Sequence, residues 1–385
     1  MTASGSVLKQ LLKDALREDE KETNVAEKYR AETCTKISQV FNTPWAEAND
    51  VLAEQIKDDC FDADYTTLHT LARVSATDYS ALVYLGFDNV GQRYVVIKDY
   101  SFEGNNWLLP KIVQRQIETY YTLRRISGGN PNGLQECLGL QITKAKARFV
   151  FKYYPMLFCH MFRDETPKHV LLQKAVELVR CVVDLHDVYK IAHRDIKSAN
   201  CCLTKSGKMV VIDFDTSISG GTRMCSTLPV CTYSTAPPEY FQLEWDQKKR
   251  KQQQQQHLLE DGDKRNHILD DNNLLYDAYA GDWWSVGCVI AEMYLGYELF
   301  NYRNEDHTQF YRELAMFSKH MLMDSMKDIK VKNLKRRVPT SDQQEVWTLL
   351  RGLFVLEAEA RRAAVDDFLQ EPKIQSILQS SGVSS

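Results

Sequence analysis

The chain has no apolar run approaching the ~18 residues of a membrane-spanning helix, and nothing in it reads as a span. Its first twenty residues hold Lys9, Lys13, Asp14, Glu18, Asp19 and Glu20, and so lack the apolar centre of a secretory signal. Ten cysteines lie in 385 residues with no Cys-x2-Cys metal spacing, which fits reduced thiols. These absences give the expectation of an intracellular protein, cytoplasmic or nuclear. No sign of charge dominates either. A formal net charge of −4 leaves no overall pull towards nucleic acid, and 44% hydrophobic residues describe a soluble globular chain. Its length is large for one ordinary domain and fits a two-lobed one with additions.

What is present centres on His193-Arg194-Asp195-Ile196-Lys197-Ser198-Ala199-Asn200, followed thirteen residues after Asn200 by Asp213-Phe214-Asp215. Phosphoryl transfer needs a carboxylate to receive a hydroxyl proton, a cation near the phosphate, and an amide and second carboxylate for magnesium. Asp195, Lys197, Asn200 and Asp213 are those types in that order. The stretch resembles the catalytic loop and magnesium-binding turn of eukaryotic protein kinases. The bland reading is a charged surface loop, which so many positions in register oppose.

The resemblance covers about residues 68–372 and implies an α+β, two-lobed protein-kinase-like fold. A small antiparallel β lobe over 67–154 would precede a larger helical lobe over 155–375, with a helical extension at 1–66 and a flexible tail at 376–385. In the extension, Val7, Leu8, Leu11, Leu12 and Leu16 recur at helical spacing, as do Val51, Leu52 and Ile56. It packs on the body in the simpler reading and binds a regulatory partner in the sharper one. Ala81–Leu85 and Tyr94–Lys98 are β-rich runs joined by Gly86 to Gly91, a hairpin signature. Val95-Val96-Ile97-Lys98 resembles the kinase strand whose lysine meets the α and β phosphates.

Glycine is missing where that family places it. Counted back from Lys98 without a gap, the three phosphate-loop glycines fall on Ala76, Asp78 and Ala81. The next helix, about Pro110 to Ile126, has Gln116 where a glutamate is expected and Glu118 two residues on, a rotation of about 200°. Either serves Lys98, and the sequence leaves both open. Phe151 takes the gatekeeper place, and the resemblance implies nucleotide contacts from Lys98, Val83, Val96, Tyr153, Tyr154 and Cys202. Cys201 and Cys202 also read as small apolar packing residues or, alternatively, as a redox switch.

The helical lobe is expected to hold a main helix over Val170–Tyr189 and a short strand Met209–Ile212 that aims Asp213. Thr232, seven residues before Glu239, matches the threonine that bonds the catalytic aspartate and lysine. Ala236-Pro237-Pro238-Glu239 resembles the Ala-Pro-Glu ending, and Glu239 is expected to pair with Arg361. Asp282 is expected to tie the loop backbone. Arg194 is expected to meet a phosphate on Thr227, whose neighbour is Ser226. A Gln-rich insertion at about 245–275 cannot build a core.

By resemblance, then, the expected activity is serine/threonine phosphorylation of protein substrates. Asp195, Lys197 and Thr232 are the catalytic residues, Asn200 and Asp213 the metal ligands, and ATP and Mg2+ the cofactors. No nucleic acid or membrane partner is expected. The alternatives are a pseudokinase scaffold, favoured by the missing glycines, Gln116 and Asp215, and a kinase-fold enzyme acting on a small molecule.

Overall fold

The computed structural model of the chain describes residues 65–75, 79–101, 111–128, 131–142, 146–161, 166–219, 224–225, 232–240, 243, 249, 252, 276–296, 298–299, 344–355 and 357–380. Residues 1–64 of the expected extension, Ala76, Asp78, Ser226, Thr227 and almost all of the Gln-rich insertion lie outside these residues, while Tyr65 and Thr66, its last two, begin a strand. The described residues are mixed α+β and fall into two compact units. One runs to Met156 and takes in Cys202–Gly207; the other holds Leu157–Cys201 and the residues from Lys208 onward. No helix among them is long and apolar enough to cross a membrane.

The first unit is an antiparallel sheet. Tyr65–Ser75 (β1), Ser80–Asp88 (β2), Arg93–Ser101 (β3), Cys137–Ile142 (β4) and Lys146–Lys152 (β5) lie in the order β1-β2-β3-β5-β4. Strand β2 runs on through Asp88, so the β2–β3 turn is tighter than the glycine spacing suggested. Asp88 closes it, with one oxygen accepting the N–H of Gly91 at 2.8 Å and the other meeting Arg93 Nε at 3.2 Å.

Residues directly opposite in an antiparallel pair share a face. Lys98 stands opposite Val83 on one side and Phe149 on the other, and Val96 stands opposite Phe151. This face is covered by the helix Lys111–Ser127 (α1), whose buried Val113, Gln116, Ile117, Tyr120 and Leu123 form one stripe. The Tyr120 ring sits 5.0 Å from that of Phe151 and 6.1 Å from that of Phe149. On the other face Tyr65, Val95, Ile97 and Val150 cluster. Gly139 makes this possible, because a Cβ there would stand 3.1 Å from the Tyr65 hydroxyl. Arg148 grips Asp99 on the same face through two bonds of 2.7 Å.

The second unit is mainly helical: Lys168–Asp187 (α2), Ala278–Leu295 (α3), Gln344–Leu353 (α4), Ala358–Gln370 (α5) and Pro372–Ser380 (α6). Helix α3 is buried nearly all round, which makes it the centre of the unit. Asp277 caps its start by accepting the N–H groups of Tyr279 and Ala280, and Gly296 ends it at φ 79°. The Phe354 ring meets Trp284 at 5.1 Å. Helices α4 and α5 approach so closely that a Cβ on Gly352 would collide with Ala364. Helix α6 continues through Ser380, well into the stretch expected to be a tail.

Candidate active site

Three polar residues of the second unit converge on one carboxylate, that of Asp195. Lys197 Nζ donates to Asp195 Oδ2 at 2.7 Å and to Thr232 Oγ1 at 2.8 Å. The Thr232 backbone N–H and hydroxyl both donate to Asp195 Oδ1, at 3.1 and 2.9 Å. Asn200 Nδ2 donates to the Asp195 carbonyl at 2.9 Å and to Oδ2 at 3.1 Å. The short helical turn Ser198–Asn200 makes this reach possible by bringing Asn200 back over Asp195. Four donors thus fix both the position and the plane of the Asp195 carboxylate.

The loop behind it is held from below by α3. Asp282 Oδ1 accepts the Arg194 N–H at 2.7 Å, and Oδ2 accepts the His193 N–H at 2.8 Å. His186 of α2 adds its Nε2 to Oδ2 at 2.8 Å and stacks on Tyr279 at 4.2 Å. The His193 ring pins the other side. A backbone N–H can only donate, so His193 Nδ1 accepts from Asp195 N at 3.3 Å. A carbonyl can only accept, so His193 Nε2 donates to Ile212 O at 3.0 Å. These two contacts fix its tautomer.

Arg194 and Asp213 both have φ of 68°, in the left-handed region that side chains rarely adopt. Such positions carry on the order of 1–3 kcal/mol of strain and persist only where their surroundings hold them. Asp213 follows Ile212, whose N–H donates to Asn200 O at 2.9 Å. That bond ties the Asp213 turn to the loop that carries Asn200.

The segment bearing Thr232 is anchored at its far end. Arg361, fully buried, donates from both terminal nitrogens to the Glu239 carboxylate and also bonds Val355 O and Ala280 O. The pair expected from the resemblance is therefore formed, and it satisfies the charge that burial would otherwise penalise. Ser285 Oγ ties the same segment to α3 by donating to Thr235 O at 2.7 Å.

The remaining expected residues lie in the first unit. Val83, Val96 and Lys98 share the α1-facing side of the sheet, and Lys98 Nζ lies 5.5 Å from the centre of the Tyr100 ring. Gln116 is buried and donates from Nε2 to the Tyr100 hydroxyl. Tyr154 accepts the Glu136 N–H at 3.2 Å. Burial pushes the Tyr153 hydroxyl up to about 12, with Cys202 adding to it. Ala81 is buried inside β2, so the third counted loop position is a packed strand residue. Cys201 and Cys202 are buried as well, which fits packing rather than redox exchange.

Among the described residues no group of three or more His, Cys, Asp or Glu side chains is arranged to hold a metal ion. Asn200 spends its Nδ2 on Asp195 and keeps its amide oxygen as an acceptor. With the Asp213 carboxylate this makes two hard oxygen donors, a set suited to magnesium, which retains waters and takes phosphate oxygens. A scan against protein-family models finds no match for this chain, and a search of curated proteins finds none either.

Two contributors escaped the sequence reading. His186 sits in an apolar helical run, where a histidine carries no signal of its own. Ser198, inside the loop, donates to Glu292 Oε1 at 2.9 Å, and no motif joins those two positions.

Proposed function

We propose that the chain is a protein serine/threonine kinase that transfers the γ-phosphate of ATP to a protein hydroxyl. The observation that carries the reading is the Asp195–Lys197–Thr232 triangle. It sets an oriented carboxylate against a cation, with a threonine from the segment ending at Glu239 bonded to both. In this reading Asp195 receives the substrate hydroxyl proton. Its lone pairs are filled by Lys197, Asn200 and Thr232, so one donor must leave before a hydroxyl can bind. Lys197 would be that donor: its ammonium would turn to the γ-phosphate of a bound ATP and so free Oδ2 for the substrate hydroxyl. Magnesium, held by Asn200 and Asp213, would offset charge on the phosphates. Lys98 would contact the α and β phosphates, and Val83, Val96, Tyr153, Tyr154 and Cys202 would surround the adenine.

A pseudokinase scaffold is the second reading. It is favoured by Gln116, whose buried amide faces Tyr100 where a carboxylate for Lys98 is expected. Transfer of labelled phosphate from ATP to generic protein substrates separates the two. We expect transfer by the parent chain and none by Asp195→Asn, with both chains folded. A folded parent that transfers nothing gives the second reading first place, and wild-type turnover by Asp195→Asn removes the role given to Asp195.

A further inference from the structure

Met224–Cys225 is a two-residue strand in the segment that leads to Thr232, and it pairs antiparallel with Tyr276–Asp277. So short a ladder does not hold itself, and one of its strands must be fixed by other contacts. Tyr276–Asp277 is the fixed one. Asp277 is the N-cap of α3, its Oδ1 accepting the N–H groups of Tyr279 at 3.0 Å and Ala280 at 3.1 Å. Tyr276 is 5% exposed and belongs to a buried cluster with Ala192, Leu243 and Ala278, against which Ile218 packs. Ala192 and Ile218 exchange two backbone hydrogen bonds of 2.9 Å, and Ala192 lies three residues before Asp195.

The Tyr276 ring also reaches the other side of the Thr232 segment. A Cβ on Gly281 would stand 3.7 Å from that ring and 3.3 Å from the Pro237 ring, so both rest on the bare backbone of α3 there. Thr232 lies seven positions after Cys225 and five before Pro237. Tyr276 thus stands at both ends of the piece that carries Thr232, paired to one end by backbone and beside the other by its ring. The three bonds that Thr232 makes to Asp195 and Lys197 need that piece closely placed, since hydrogen bonds weaken steeply with angle and distance.

We propose that Tyr276 is a positioning residue for Thr232. Through the ladder to Met224–Cys225 and its place beside Pro237, it sets the segment so that Thr232 meets Asp195 and Lys197. It touches none of the residues given to ATP, so it acts on the phosphoryl-transfer step and not on nucleotide binding. The effect on turnover rests on the phosphotransfer reading, whereas the effect on the segment does not.

The test uses the full chain and its Tyr276→Ala, Tyr276→Phe and Thr232→Ala variants. In Tyr276→Ala, hydrogen exchange should rise across residues 224–232 and stay as in the parent across α2. Turnover should fall about tenfold with the KM for ATP unchanged, and Tyr276→Phe, which keeps the ring, should restore both readouts. Added to Thr232→Ala, Tyr276→Ala should cost less than about twofold more, because its effect passes through Thr232. Should Tyr276→Ala fail to fold, Cys225→Pro breaks the ladder from its other strand and is read in the same way. Unchanged exchange at 224–232, or the full loss repeated in the double variant, overturns the proposal. Raised exchange in Tyr276→Ala beside a parent that transfers no phosphate upholds the positioning role and removes the phosphotransfer reading instead.

Discussion

The Asp282 carboxylate accepts the Arg194 backbone N–H at 2.7 Å although 88 residues separate them in the chain. With the His193 N–H and the His186 ring on its other oxygen, this carboxylate is the point at which the central helix fixes the loop. An amide cannot replace it. Asp282→Asn offers one acceptor oxygen and turns an NH2 group towards groups that also donate. A loss of about 2–4 kcal/mol in unfolding free energy is expected, measured by urea denaturation. If loop geometry sets turnover, phosphotransfer should fall even where the variant is fully folded. Unchanged stability would show that these bonds contribute nothing net.

How far this arrangement was legible follows from the kind of contact involved. Asp195, Lys197 and Asn200 lie within six positions of one another, so their convergence follows from local spacing. Glu239–Arg361 spans 122 residues yet was legible, because the resemblance supplies both positions, the glutamate ending Ala236-Pro237-Pro238-Glu239 and the late arginine, and their pairing makes the buried charge tolerable. His186 has no such constraint: a neutral ring in an apolar helix packs equally well with or without a carboxylate. The same holds for Tyr65, which lies before the β lobe expected over 67–154, and whose place over Gly139 depends on a long-range register. Strand β1 carries two register shifts, between Thr67 and His69 and between Thr70 and Ala72, that no alternation pattern reveals.

Arg361 tests the anchoring of the Thr232 segment. Its planar fork serves Glu239, Val355 O and Ala280 O together, and its guanidinium lies 5.2 Å from the Trp284 ring centre. Arg361→Lys keeps the charge but replaces the fork with a point donor that cannot reach all three. The expected cost is about 3–5 kcal/mol, read as a fall in the urea midpoint. A loss below ~1 kcal/mol, the level of an exposed pair, would show that the fork is not needed.

Glu292 gives a prediction in pH. Burial holds its carboxyl above the usual carboxylate range and Glu298 adds to this, while the bond from Ser198 works the other way. A raised folded-state value means that the contribution to stability is fully present below the unfolded value and is lost as pH rises through the folded one. At neutral pH the charged form therefore weakens the fold. Glu292→Gln, which can still accept from Ser198, should melt above the parent at pH 7. Its advantage should disappear as pH falls below ~4.3, the ordinary value for glutamate. A constant difference across the range would mean that packing, not charge, separates the two chains.

Gln116 is the sharpest point between the two proposed readings. It is 1% exposed, its Nε2 donates to the Tyr100 hydroxyl, and Lys98 Nζ lies 5.5 Å from the centre of the same ring. In Gln116→Glu one oxygen can accept from the Tyr100 hydroxyl and leave the other for the Lys98 ammonium. At an effective dielectric of ~20, unit charges ~4 Å apart attract by about 4 kcal/mol, set against the desolvation of a buried carboxylate. A net gain in positioning Lys98 should tighten ATP binding by about fivefold, equivalent to ~1 kcal/mol, measured by titration with magnesium present. If Glu118 already serves Lys98, the new carboxylate adds a like charge and affinity should stay level or fall. A loss of melting temperature with no change in ATP binding would mean that position 116 does not reach Lys98. Loss of stability in a parent that binds no ATP at all would leave Gln116 as a core residue of a regulatory scaffold.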